Sequence, residues 1–435
     1  MSVQQLSGPF LSVLGGPERL APRDFRDRSL AIYQCRTAAV SRIFPYVRDW
    51  NGSEASDSAL YGAACEIDPD LATLKCLGEA AERYSSCVAL AGELEVTTAN
   101  ALGSAAFEWS RLPKLSCDEL ANPRQGLNPF QPGATMRWVP AIDAASCRTA
   151  YVPLILTHLY PRAWTSERFT YPISTGTALH PDPYRAIVSA ILEVIERDAL
   201  SVNWILRRPL RRIVIGAESR PLFDAATWEL IQRDDILLYE ATTEFGVPII
   251  YARRYRPAHP RCVNIFGCAC DPNILDALGK AAREAVMISH ALEATTHRPP
   301  TDPMDCTLII DGACMMMSPE RTDAFDFLAE GGTVQLSALL DTRTSTPPEP
   351  TDQMRWLVTR LSEHDQRVYL TEISSDEVRD VGLRVFRAVL PGMMPLSFVH
   401  RSRFLASRRL ADAHASMHPS ASLADSINPW PQPFS

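Results

Sequence analysis

The sequence predicts an α+β fold in which long helices stand among short strands, in two or three modules or one large one. Three observations carry that expectation. The run from about Pro183 to Leu206 is apolar nearly all round at helical spacing. Two more long helices are patterned, one beginning at Asp68-Pro69-Asp70 and the other from about Pro272 to Ala294. Between and after them lie short β-branched and aromatic runs bounded by Pro, Gly and Asp, with no solenoid period and no heptads.

At 435 residues the chain is long enough to bury a sizeable core, and 46% hydrophobic with 22% charged residues is ordinary for a globular protein. A net charge of −8 and a pI near 5.7 argue against nucleic acid as partner, since binding phosphodiester backbones needs clustered Lys and Arg. Met1–Gly15 lacks a basic start and a long apolar run, so it is not a secretory signal, and no apolar stretch is long enough to span a membrane. A cytoplasmic protein is the expectation. The eleven cysteines lack a regular framework and fit a reducing compartment. Cys262, Cys268 and Cys270 read as buried free thiols rather than a zinc site.

Taken in order, residues 1–60 are poorly patterned, with one strand expected near Leu30-Ala31-Ile32-Tyr33. The first long helix follows, with Leu71, Leu74, Leu77, Ala81, Tyr84 and Val88 at three- and four-residue spacing. Glu79, Glu82 and Arg83 share the face opposite that stripe, which by itself reads as a solvated face. Pro113–Thr135 is a loop, followed by strands at Trp138–Ala141 and Ala150–Pro153. Ile173-Ser174-Thr175-Gly176-Thr177 then leads into the second helix, and small hydroxyl-bearing residues there let phosphates approach backbone N–H groups.

On that second helix Glu193, Glu196 and Arg197 fall in one sector. Buried carboxylates must be paired, protonated or bound to a cation, because desolvating a lone charge costs several kcal/mol. The Glu-x-x-Glu-Arg spacing thus occurs twice, once in a buried setting, and points to a cation and phosphate site or to a structural ion network. Strands are expected at Arg212–Ile215, Ile236–Glu240, Val247–Ala252 and Cys262–Phe266. The third helix carries Lys280, Arg283 and Glu284. Arg367–Ile373 and Leu383–Leu390 close the strand series, and the chain ends on Pro429-Trp430-Pro431-Gln432-Pro433. No Walker A loop, Rossmann fingerprint, kinase signature or nucleophile elbow is present.

The two Glu-x-x-Glu-Arg helices, Ser174–Ala178, Leu278–Glu284, Pro391-Gly392-Met393-Met394-Pro395 with Arg408-Arg409-Leu410, and the terminal Pro-x-Pro-x-Pro together resemble the YcaO superfamily, and the tail resembles its azoline-forming cyclodehydratase branch. The resemblance runs from about Gly62 to the C-terminus. It implies a single large YcaO-type ATP-binding fold, mixed sheets flanked by long helices, with a catalytic domain over 61–426 and a proline-rich tail, 427–435, reaching the active site.

By the same resemblance the cofactors are ATP and Mg2+. Glu79, Glu82, Glu193 and Glu196 are the implied metal ligands. Arg83 and Arg197 are assigned to phosphate oxygens or to orienting those carboxylates, Ser174, Thr175, Thr177 and Glu284 to the nucleotide site, and Pro429, Pro431, Pro433 and Ser435 to the catalytic tail, with the Ser435 carboxylate a candidate base. Cys76 and Met287 depart from the family pattern where small or polar residues are common. The implied reaction is cyclodehydration of Cys, Ser or Thr in a ribosomally made precursor peptide. Thioamide or amidine formation, or a non-catalytic peptide-binding scaffold, are alternatives. Expected partners are the precursor peptide, a separate ThiF-like/ocin-type protein that binds its leader, an FMN-dependent dehydrogenase and a second copy in a homodimer.

Overall fold

The computed structural model describes residues 2–8, 12–47, 60–89, 91–341, 346–417 and 422–434. In chain order its strands begin with β1 (Glu18–Leu20), β2 (Ala31–Arg36) and β3 (Tyr61–Glu66), followed by helix α1 (Pro69–Cys87). Then come β4 (Glu95–Thr97), β5 (Met136–Asp143), β6 (Arg148–Pro153), β7 (Thr177–His180) and helix α2 (Pro183–Ile205). Strands β8 (Arg211–Val214), β9 (Ile236–Glu240), β10 (Ile249–Tyr255) and β11 (Asn264–Cys270) precede helix α3 (Ile274–Ala294). The chain closes with β12 (Thr333–Gln335), helix α4 (Pro350–Glu363), β13 (Tyr369–Glu372), β14 (Arg384–Val389) and helix α5 (Arg408–Met417), among shorter helical turns.

Each of the three long helices starts where the sequence places a cap. The side chains of Asp68, Asp182 and Asn273 accept from the N–H groups of Asp70, Tyr184 and Leu275, and α1 and α2 carry proline in the first turn. The strands form three sheets, ordered β1-β2-β3, β11-β10-β9-β8-β12 and β4-β5-β13-β14-β7, with β6 also on β5. All pairings are antiparallel except β8 with β12.

Each long helix bridges two sheets. Helix α1 packs on β3 and on β7, α2 on β7 and β14 and also on β11, and α3 on β10 and β11 and also on β3. Sheets and helices therefore alternate around a closed ring of six. The main apolar core gathers on α2, where Ile191, Ile195 and Leu200 are fully buried, and a second core lies between α3 and the β9–β11 face.

The N-terminal segment is more ordered than its pattern suggests. Strands β1 and β2 complete the sheet with β3, and Asp24 and Asp27 reach across to the fully buried Arg254 of β10 at 2.9 and 3.0 Å, where Asp235 adds a third carboxylate at 3.1 Å. That pairing helps β10 run on to Tyr255 where a strand ending at Ala252 is expected: Arg254 is neutralised inside by three carboxylates, and the buried Arg253 donates to Asn264 Oδ1 at 3.1 Å. β11 likewise starts later and ends later than the Cys262–Phe266 expectation, taking in Cys268 and Cys270. All eleven cysteines are free thiols, nine of them buried. Among the described residues no helix is long and apolar enough to cross a membrane.

Candidate active site

The ring of sheets and helices converges on five glutamates, two from α1, two from α2 and one from α3. Four are anchored in the same way. One oxygen, Oε2, accepts from a backbone N–H beside the helix: Glu79 from Ala63 at 2.8 Å, Glu193 from Gly176 at 2.9 Å, Glu196 from Cys270 at 2.7 Å and Glu284 from Cys268 at 2.5 Å. Hydrogen bonds from neutral donors to a carboxylate are among the stronger ones in proteins, so these tethers fix where each side chain points.

Local sequence explains two of the anchors. A Cβ on Gly62 of β3 would lie 2.2 Å from the Cys76 carbonyl and 2.5 Å from the Ala80 nitrogen of α1. On Gly267 of β11 it would lie 2.6 Å from the Ala281 carbonyl and 2.4 Å from the Ala285 nitrogen of α3. In both places a bare glycine lets the helix backbone lie directly on the strand. The next residue's N–H then meets a glutamate one position before the second small helix residue, Glu79 before Ala80 and Glu284 before Ala285.

The free oxygens turn inward to guanidinium groups. Glu79 Oε1 lies 3.0 Å from Arg83 Nη2. Arg197 stands among three carboxylates, 3.8 Å from Glu193, 3.5 Å from Glu196 and 3.9 Å from Glu284. At those separations it attracts all three without a full hydrogen bond to any. Sequence reasoning missed Arg387, from β14. It is buried, its Nη1 donates to Thr177 Oγ1 at 2.8 Å, and its Nε has no partner. It sits in an ordinary strand pattern, and no local signal marks it.

Three of the carboxylates hold protons unusually tightly. Burial pushes Glu196 up to about 8 against the pull of Arg197, with Glu284 and Glu193 adding to the rise. Burial also raises Glu82 and Glu284, opposed by Arg83 and Arg197 respectively. Burial lowers Arg387 to about 10 despite Glu193 and Glu82. Five carboxylates thus face three guanidiniums, Arg83, Arg197 and Arg387, and a cation would favour the ionised form of the carboxyls that burial otherwise holds protonated.

Oxygen donors of this kind suit a hard divalent ion, and the guanidiniums suit phosphate oxygens, so the donor set fits Mg2+ together with a nucleotide. Among the described residues no three His, Cys, Asp or Glu side chains converge tightly enough to hold an ion by themselves. That is compatible with Mg2+, which usually keeps waters and takes one or two carboxylates plus phosphates.

The remaining expected residues are distributed as follows. The Glu79–Glu82–Arg83 face, which pattern alone reads as solvated, turns into the ring because α1 is covered on two sides. The Ser174 carbonyl accepts from Thr177 N at 3.1 Å, closing the turn before β7, while the Thr177 hydroxyl is occupied by Arg387. Thr175 lines an adjoining cavity. Cys76 faces the core, its sulfur donating to the Gly62 carbonyl at 3.5 Å, and Met287 packs in the second core, so neither touches the cluster.

The tail is packed rather than free. Asn428 N donates to Ile205 O at 2.7 Å and Trp204 Nε1 donates to Trp430 O at 3.1 Å. Pro429 is exposed, whereas Pro431, Gln432 and Pro433 are buried. Phe434, 1% exposed, stands edge-on to Tyr251 and Phe266 with centroids 5.2 and 6.0 Å away. Tyr251 pairs with Cys268, the residue whose N–H holds Glu284. Ser435 lies outside the described residues. Asp198 and Arg409 clamp the same region: Arg409 Nη2 meets Asp198 Oδ2 at 2.7 Å, and Met394 N donates to Asp198 Oδ1 at 2.8 Å.

The family model described as YcaO cyclodehydratase, ATP- and Mg2+-binding, matches residues 64–394. No curated protein sequence matches the chain. Among solved structures, a heterocyclase in complex with substrate and cofactor is 19% identical, with 99% of this chain and 56% of that one covered at a TM-score of 0.77. The YcaO protein of Methanopyrus kandleri bound with AMPPCP and Mg2+ is 16% identical, covering 88% and 86% at 0.60. The E. coli microcin synthetase McbBCD complex contains a chain 15% identical, covering 89% and 90% at 0.58. The chain spans about half the length of the heterocyclase it matches.

Proposed function

Because the chain belongs to the YcaO family, an ATP- and Mg2+-binding group, we propose that it is an ATP-dependent cyclodehydratase that turns Cys, Ser or Thr residues of a ribosomally made precursor peptide into thiazolines or oxazolines. The observation that carries this reading is the convergence of five carboxylates on three guanidiniums, with Glu79, Glu196 and Glu284 pinned by strand N–H groups and Glu193 by Gly176 in the turn before β7. A structural ion network would balance its charges, because an uncompensated buried carboxylate is costly.

In the proposed reaction the substrate's thiol or hydroxyl attacks the preceding backbone carbonyl, its proton passes to a base, and the carbonyl electron pair moves onto oxygen. Bound ATP supplies the phosphoryl group that makes this oxygen a leaving group, and Mg2+ neutralises the phosphate charge. Loss of the amide proton and of phosphate then leaves the C=N bond of the ring. Within this scheme Glu79, Glu82, Glu193 and Glu196 hold the metal, with Glu284 beside them. Arg83 and Arg197 orient those carboxylates and meet phosphate oxygens. The backbone of Ser174–Thr177, together with the Thr175 hydroxyl, borders the nucleotide.

The tail's part is steric and positional. Fixed φ at alternate residues reduces the entropy lost in holding it against β10 and β11. Its resemblance to the tail of the azoline-forming branch supports azoline formation over other chemistries of the family. The McbBCD neighbour is a multi-protein assembly, which supports a partner protein that presents the precursor. In this reading the reaction takes place in the cytoplasm and precedes any flavin-dependent oxidation to azoles.

Reconstitution with the precursor, ATP, Mg2+ and the partner should remove about 18 Da per ring with matching ADP release. Intact peptide mass despite bound nucleotide would overturn the proposal, and a gain of about 16 Da would assign thioamidation instead.

A further inference from the structure

The C-terminal tail is held at every second residue. Asn428 marks its entry: its N–H donates to Ile205 O at 2.7 Å, its Nδ2 to Trp204 O at 3.2 Å, and its own carbonyl accepts from Arg403 Nη1 at 2.5 Å. Trp430 N then donates back to Asn428 Oδ1 at 3.1 Å, and the Arg321 guanidinium lies over the Trp430 ring, 4.1 Å from its centre. Gln432 Oε1 accepts from Phe434 N at 2.7 Å, and Phe434 ends the series against Tyr251 and Phe266. Proline at 429, 431 and 433 stiffens the steps between these contacts and brings no N–H that would need a partner.

Between Trp430 and Phe434 the tail passes against the helix Ile309–Met316. A Cβ on Gly312 would stand 2.2 Å from the Gln432 carbonyl oxygen and 3.6 Å from Pro431 Cβ, so helix backbone and tail backbone touch directly. Glycine inside a helix is worse than alanine for the helix itself, and its presence here is explained by what lies against it. The helix is not free to yield. Asp311 is 2% exposed, accepts from Thr307 N and Leu308 N at 2.8 Å each, and meets His297 Nε2 at 2.7 Å, which ties the start of the helix to the segment that follows α3. Helix α3 carries Glu284, and the strand whose N–H anchors Glu284 is the one on which Phe434 packs.

We propose that Gly312 is a positioning residue: the helix backbone there is a stop for the Gln432 carbonyl, and this stop, not the length of chain leading into the tail, sets how far the last residues reach toward the anchor of Glu284. The tail's part in cyclodehydration rests on the function proposed above. The stop itself is independent of that reading.

The test uses the full chain. Gly312→Ala keeps the backbone hydrogen bonds of the helix and raises its propensity, so the added methyl acts on the tail. Hydrogen exchange read by mass spectrometry should become faster in the peptide containing residues 428–434 and match the parent in α1 and α2. In turnover, kcat should fall by about a hundredfold, the scale of a misplacement by about 1 Å, while KM for the precursor and affinity for Mg2+ with ATP match the parent. Parent-like exchange in the tail overturns the proposal, as does a released tail with unchanged kcat. Faster exchange throughout the ring with weakened nucleotide binding would mark Gly312 as a general packing position and also overturn it. A second variant keeps the stop and alters the approach, with one alanine inserted after the exposed Ala424, upstream of Asn428. Tail exchange and kcat should then match the parent, and a loss equal to that of Gly312→Ala would show that chain length sets the reach. If the parent itself removes no water from the precursor, the cyclodehydratase reading fails, and tail exchange in the two variants still decides the stop.

Discussion

Replacing Glu196 by glutamine tests the charge argument in a way that catalysis alone does not. The folded protein holds a proton on Glu196 up to pH about 8, whereas an unfolded chain releases it near 4.5. Between those values the folded state binds more protons, so its stability falls as pH rises through that window and is fully present only below it. At ~1.4 kcal/mol per pH unit, the gap sets a ceiling of about 5 kcal/mol on the loss. Glutamine has no proton to lose, and its carbonyl can still accept from Cys270 N. In EDTA, urea unfolding should therefore find the two proteins nearly equal at about pH 5, and Glu196→Gln more stable by several kcal/mol at about pH 8.5. Mg2+ with ATP should stabilise the parent at the higher pH and the variant little, and the variant should lose ATP turnover while retaining peptide binding. Equal stability differences at both pH values, or an unaltered ATPase rate, would refute the reasoning.

Two other outcomes follow from packing. Gly267→Ala places a methyl 2.4 Å from the Ala285 nitrogen, which must push α3 off β11 and carry Glu284 with it. A loss of about 3 kcal/mol in unfolding free energy is expected, with ATP affinity weakened beyond what a surface alanine substitution on α3 produces. Phe434→Ala empties a buried aromatic site between Tyr251 and Phe266, at a cost of about 3–5 kcal/mol if the tail stays docked. Trimming after Ser426 should lower cyclodehydration more than nucleotide binding, and activity equal to the full chain would identify the tail as a mere structural strap.

Much of the fold is legible in periodicity. The three long helices have matching caps, Asp68, Asp182 and Asn273, and their starts coincide with the pattern to within two residues. The Glu-x-x-Glu-Arg repeats stand out because buried charge in an apolar helix demands an explanation. What pattern cannot display is the donor side of the site. Ala63, Gly176, Cys268 and Cys270 act through backbone N–H groups, which every residue but proline has. The clue, visible only in retrospect, is a strand glycine facing a helix that carries small residues four apart, Cys76 and Ala80 or Ala281 and Ala285. Arg387 was equally hidden, since a strand arginine gives no sign of being buried until its neighbours are known. The cavity that Thr175 lines is assembled from loop 109–130 and β14, which lie more than two hundred residues apart.

The one-oxygen tether has a consequence for how the helices keep their places. Each anchored glutamate ties its helix to a separate stretch of backbone: Glu79 joins α1 to β3, Glu193 joins α2 to the turn before β7, and Glu196 and Glu284 join α2 and α3 to β11. The same carboxylates keep further lone pairs for whatever they face at the centre of the ring. Scaffold and site are therefore one set of side chains, and a substitution at any of the four loosens a helix as well as removing a charge.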